Sequence, residues 1–203
     1  MKLTPEYIEQ HNKIPGYVSL PCLNRLNFLL ESYNTPNTVG MEIGSMHGRS
    51  SWLISKTIKS GKLFCVDVWQ GNDTYNPNLS VENALRWNYP PKGTVNTKEQ
   101  FLSNTSDCKN IIAIHGVAPD VLADWNTPLD FIFIDAIHNN PDNKILIEFG
   151  LKWVKPGGLL CGHDYCNDWP DIVENVSMLE NLFNTKVSCI EGSSVYSFKI
   201  PNS

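Results

Sequence analysis

A chain of 203 residues, 41% hydrophobic and 18% charged, has the length and composition to enclose a single α/β core. Its formal net charge of -5, with no basic cluster, argues against a nucleic-acid partner, because phosphate binding is driven by Lys and Arg. No apolar run reaches the length of a membrane span and residues 1–7 lack the apolar core of a signal peptide, so a cytoplasmic protein is expected.

In chain order, residues 1–37 read as an N-terminal cap of one or two helices, with Leu23, Leu26, Phe28, Leu29 and Leu30 packed onto a domain spanning 38–203. From residue 38 strands and helices alternate, the pattern of a doubly wound parallel sheet. A strand over 38–43 closes at Gly44, and a helix over 49–58 turns Trp52, Leu53 and Ile54 to the sheet. A second strand over 62–66 ends in Asp67. Residues 69–98, rich in Asn, Pro, Gly and aromatic side chains, interrupt the alternation and read as a lid-like insertion. Further strands are expected at 110–114, 129–134 and 158–161. Before the last of these, Asn140 suits the N-cap and Pro141 the first position of a helix that buries Ile145, Leu146, Phe149, Trp153 and Val154. A helix over 170–183 buries Ile172, Val173, Val176, Leu179 and Phe183. Residues 186–190 and 195–200 close the chain as an antiparallel hairpin. The sum is a Rossmann-like, mostly parallel sheet of seven strands. The six cysteines are scattered, which favours reduced, buried thiols, and the spacing from Cys161 to Cys166 fits no standard zinc pattern.

Chemistry concentrates at strand ends. The fourth strand ends in Asp135, with His138 three residues on, and the fifth ends in His163-Asp164. Carboxyl ends of parallel strands open into the ligand crevice of such sheets, so four proton-handling or metal-binding groups converge there. The turn after the first strand, Glu42-Ile-Gly44-Ser-Met-His-Gly48-Arg-Ser50, offers amides, a helix N-terminus and the Ser50 hydroxyl to a small anion such as a carboxylate. Met46 stands where a dinucleotide fingerprint has its middle glycine, which disfavours a bridging pyrophosphate and a nicotinamide enzyme. Asp67 ends the second strand, where an acid receives ribose hydroxyls; the alternative is that it caps a turn. For His138 the alternatives are a base or substrate ligand and a helix cap, and for His163 a metal ligand and a ring turned from the cleft.

These motifs resemble class I S-adenosylmethionine-dependent methyltransferases over roughly residues 38–200, in particular small-molecule O-methyltransferases of the catechol type and the cephalosporin hydroxylase-like group. The E-x-G-x-x-x-G-x-S loop is matched by Glu42, Gly44, Gly48 and Ser50. The resemblance implies S-adenosylmethionine as cofactor, held by that loop, by Asp67 on the ribose, by Gly116 in the adenine-flanking turn and by Asp135. It further implies a divalent metal, Mg or Mn, on Asp135, His163 and Asp164. His138 would serve as base where catechol-type enzymes carry a lysine. The acceptor would be a hydroxylated small molecule, such as a sugar or sugar-bearing metabolite. A competing expectation is a cofactor- or carbohydrate-binding module without methyl transfer. The reading leaves room for a homo-oligomer.

Overall fold

The computed structural model describes residues 3–70 and 97–202; most of the expected lid, 71–96, lies outside the described residues. Two helices come first, α1 (Pro5–Lys13), capped by the Thr4 hydroxyl, and α2 (Leu20–Leu30), capped by Ser19. The alternation follows as β1 (Val39–Ile43), α3 (Arg49–Thr57), β2 (Lys62–Asp67), α4 (Thr97–Asn104), β3 (Ile111–His115), β4 (Leu129–Ile134), α5 (Asp142–Trp153), β5 (Val154–Gly162), α6 (Pro170–Phe183) and β6 (Tyr196–Lys199). The strands form one sheet in the order β3-β2-β1-β4-β5-β6, parallel except for β6.

Both faces of this sheet are covered, so its central strands are apolar at successive positions rather than alternating. On β4, Phe131 and Phe133 join Leu23, Leu26 and Leu30 of α2 and Leu53 and Ile54 of α3. Ile132 and Ile134 point the other way, against Leu146 and Ile147 of α5 and Val176 and Leu179 of α6. Strand order reverses between β1 and β4, which pair side by side, and the crevice at their carboxyl ends is where ligands bind in open α/β sheets.

Six strands are present among the described residues rather than seven. The expected strand over 186–190 is reduced to one antiparallel bridge, Ser188 to Ser197, with two hydrogen bonds of 2.9 Å. Lys186, Ser188, Cys189 and Ile190 are exposed and only Val187 turns inward, so no apolar row anchors a longer strand. Three helical faces also differ from the expected ones. Ile145 is exposed and Ile147 buried, a one-residue rotation of α5. Trp52 packs with Ile14 and edge-on to Tyr7 of α1 instead of facing the sheet. Phe28 is 55% exposed. All six cysteines are unpaired, as expected, but Cys189 is exposed and Cys166 partly so. None of the described helices is long and apolar enough to cross a membrane.

Candidate active site

The turn from β1 to α3 is shaped by its glycines. Gly44 has φ +95°, and a Cβ there would lie 1.9 Å from the carbonyl oxygen of Asp135. Only glycine lets the ends of β1 and β4 come this close. Gly48, at φ +89°, leaves room for Phe101 of α4 and for Thr105 just after it. The space beside its Cα is thus filled by protein. Gly48 also offers no side-chain cap, so the first amides of α3 are open to an anion.

Glu42 is fully buried below this turn and accepts a hydrogen bond from Ser51. Burial pushes its carboxyl up to about 7, against the pull of the Ser50, Ser51 and Ser45 hydroxyls. Ser50, expected at a ligand carboxylate, is itself buried with its hydroxyl towards Glu42. His47 Nδ1 is buried with no hydrogen-bond partner among the described residues, and Glu42 Oε1 and Ser45 Oγ have none of good geometry beyond the hydroxyl pull on Glu42. Such a concentration of unsatisfied or weakly satisfied groups around one loop fits a polar ligand.

Asp67 braces the same turn. Its carboxylate accepts from the Met46 amide at 2.8 Å and the Trp69 amide at 2.6 Å. Burial raises its pKa, opposed by these amides. Each carboxylate oxygen retains a second lone pair, so the clasp leaves Asp67 able to receive ribose hydroxyls as well. Trp69 is buried and donates from its indole to the Met46 carbonyl. Gly116 follows β3 beside this clasp, donating its amide to the Asp67 carbonyl at 3.0 Å. His115 is pinned by its ring to the Val68 carbonyl.

Across the reversal point, the amide of Asp135 donates to the Ile43 carbonyl and that of His163 to the Ile134 carbonyl. Asp135 and His163 therefore stand side by side at the ends of β4 and β5. Asp164 takes a left-handed conformation, φ +61°, which aspartate tolerates better than most residues. His138 Nε2 donates to Asp164 Oδ2 at 2.7 Å. Ligand atoms of Asp135, His138 and Asp164 all lie within 4.8 Å of one another, and this is the described group able to hold a metal ion.

His163, expected among the ligands, is replaced in that group by His138. Its Nδ1 lies 3.2 Å from Asp135 Oδ1 and 3.1 Å from Asp164 Oδ1, in a ring only 7% exposed. A nitrogen that donates a proton to two carboxylates has no lone pair for a metal. Burial opposes its protonation, yet Asp135 and Asp164 hold His163 well above the usual imidazole range. Asp164 is held far below the carboxylate range in spite of burial, by hydrogen bonds from His138 and His163. On the other side of His163 stands Cys22 of α2. Burial would raise that thiol, but hydrogen bonds from His163 and Ser19 and the His163 charge bring it down to about 6.

Several supporting residues were not singled out from sequence. Trp169 stacks on the His138 ring, centroids 4.0 Å apart at 20°. Behind it, Asn175 donates to Asn140 Oδ1 at 2.8 Å and Asn143 Oδ1 at 3.0 Å, and Asn143 donates to the Ile137 carbonyl. The Asn140 amide donates to Asp171. The loop bearing His138 is therefore held by α6. This also explains why Asn140 does not cap α5 and Pro141 stands before its first residue: the asparagine side chain is engaged elsewhere. Only Pro170, which starts α6, signalled in sequence that a rigid element begins here.

A family model described as a methyltransferase domain matches residues 41–165, from β1 to the turn after β5. The chain belongs to this methyltransferase family.

Solved methyltransferases share its fold. The O-methyltransferase from Bacillus cereus in complex with SAH has a TM-score of 0.60 at 16% identity, covering 96% of this chain and 89% of that one. The O-methyltransferase TomG from Streptomyces achromogenes, involved in tomaymycin synthesis and solved with SAM, gives 0.63 at 18% identity over 100% and 92%. An rRNA methylase from Streptococcus thermophilus gives 0.58 at 12% identity over 89% and 97%. What these structures have in common with the chain is the class I methyltransferase fold.

Proposed function

We propose that this methyltransferase transfers the methyl group of S-adenosylmethionine to a hydroxyl of a small molecule, with Asp135, His138 and Asp164 activating that hydroxyl. The observation that carries the reading is their mutual approach to within 4.8 Å, one strand away from the turn that holds Glu42, Gly44 and Asp67. The unsatisfied and weakly satisfied polar atoms of that turn fit a polar cofactor. When bound, S-adenosylmethionine supplies an electrophilic methyl group. The residues of the chain supply its placement and a nucleophile freed of its proton.

An alcohol at neutral pH is a weak nucleophile, so its proton must be taken or its pKa lowered. Two carboxylates and an imidazole suit Mn, Mg or a similar divalent ion, which would lower the hydroxyl pKa. Asp135, His138 and Asp164 would hold it. The 2.7 Å bond between His138 and Asp164 favours a second reading. With Nε2–H on Asp164, Nδ1 carries the lone pair, and His138 is a base oriented by a carboxylate. In both readings His163 fixes the two carboxylates from below. A sugar-like acceptor suits a site with several hydrogen-bonding side chains.

Turnover of a hydroxylated metabolite library, with EDTA and then with Mn or Mg restored, separates the two. The metal reading expects activity to vanish in EDTA and return with the ion. Full activity in EDTA, lost in His138→Asn, supports the base instead. Absence of S-adenosylmethionine binding by calorimetry would overturn both.

A further inference from the structure

We propose that the groove between α2 and β6 is a second binding site, for a small amphiphilic anion whose carboxylate or phosphate meets Arg25 and whose apolar body lies on Phe28 and Leu29. It is remote in composition from the methyl-transfer site and independent of that reading. Arg25 is 7% exposed. Its Nη2 donates to Ser188 Oγ at 2.7 Å and Ser197 Oγ at 3.2 Å, and its buried Nε has no partner among the described residues. No carboxylate pairs with it among the described ion pairs. Taking a guanidinium out of water is costly unless an anion compensates it. Two neutral hydroxyls and the Phe28 ring, whose centroid lies 5.7 Å from Arg25 Cζ, compensate only part, and the planar fork of arginine suits carboxylate and phosphate oxygens.

Charge in the groove is one-sided. About 390 Å³ in volume, it is lined by Arg25, Lys186 and Lys199 with no acidic residue, on a chain whose net charge is -5. Lys186 also approaches Glu180 at 3.3 Å, but its side chain is 90% exposed and such a pair is weak. The remaining walls include Phe28, Leu29 and Leu159, which provide the apolar part. A neighbouring cavity of about 300 Å³ on the other flank of Arg25 carries Glu191 and no lysine, so the anion is assigned to the first groove. The site exists because the expected strand over 186–190 shrinks to a single bridge, leaving β6 open beside α2.

The test is calorimetric titration of the full chain with decanoate below its micelle concentration, and with decyltrimethylammonium as a cation of the same tail length. Decanoate is expected to bind saturably at one site and the cation not to bind. Arg25→Gln should weaken decanoate about tenfold, the worth of a charge-assisted hydrogen bond. Because Arg25 also ties α2 to β6, the rim variant Lys186→Glu/Lys199→Glu, at exposed positions, is measured beside it and should weaken binding too. No saturable decanoate binding, equal binding of the cation, or undiminished binding by the rim variant would overturn the proposal.

Discussion

Glu42 has nowhere to place a negative charge except on neighbouring hydroxyls, and Ser51, Ser50 and Ser45 do not offset its complete burial. A folded-state pKa raised from 4.5 to about 7 means that the native state binds the proton more tightly than the unfolded one. The resulting stability is fully present below about pH 4.5 and is lost as pH rises through 7. In Glu42→Gln this dependence disappears. The difference in unfolding free energy, wild type minus variant, should therefore fall by roughly 3 kcal/mol between pH 4 and 8, read from denaturant midpoints. At this scale the gathering of Asp135, His138 and Asp164 was legible in the sequence because each sits at or just beyond the end of an apolar strand. The task of His163 was not, since it depends on two carboxylates from different strands meeting one ring nitrogen. Trp169 was equally hidden: its stacking on His138 is set by the path of the turn after β5, which no periodicity records.

Elements carry the next layer. Asn175 joins α6 to the His138 loop, and Asn175→Leu leaves the Asn140 and Asn143 side-chain oxygens without their donor. The expected cost is about 2 kcal/mol in stability, with kcat falling while S-adenosylmethionine affinity is retained, because the glycine turn does not rely on α6. Thermal unfolding and steady-state kinetics check both parts. The two glycines of that turn should also separate. Gly44→Ala meets backbone of β4 and is expected to cost about 3 kcal/mol or more. Gly48→Ala meets side chains that can yield and should cost about 1–2 kcal/mol; equal midpoint shifts would contradict this account of the turn. The helix over 170–183 was readable to the residue because Pro170 opens it and an apolar stripe runs its length. The seventh strand was misread because residues 186–190 contain β-formers but no inward row to hold them.

For the molecule as a whole, what matters is which strands are neighbours. Sequence alternation indicated a parallel sheet, but β1 beside β4 follows from chain crossovers that local patterns do not encode. That adjacency sets Gly44 against Asp135 and brings the glycine turn to the acid–imidazole cluster. If the cluster activates an acceptor hydroxyl, its removal must abolish transfer and spare the cofactor turn. The most direct measurement is transfer of a labelled methyl group from S-adenosylmethionine to hydroxylated acceptors by wild type and Asp135→Asn, with S-adenosylhomocysteine affinity measured on both proteins. Labelled product from the wild type, a loss of about a hundredfold or more in the variant, and similar affinity in the two are expected. Undiminished transfer by Asp135→Asn, or no S-adenosylhomocysteine binding by the wild type, would contradict the assignment.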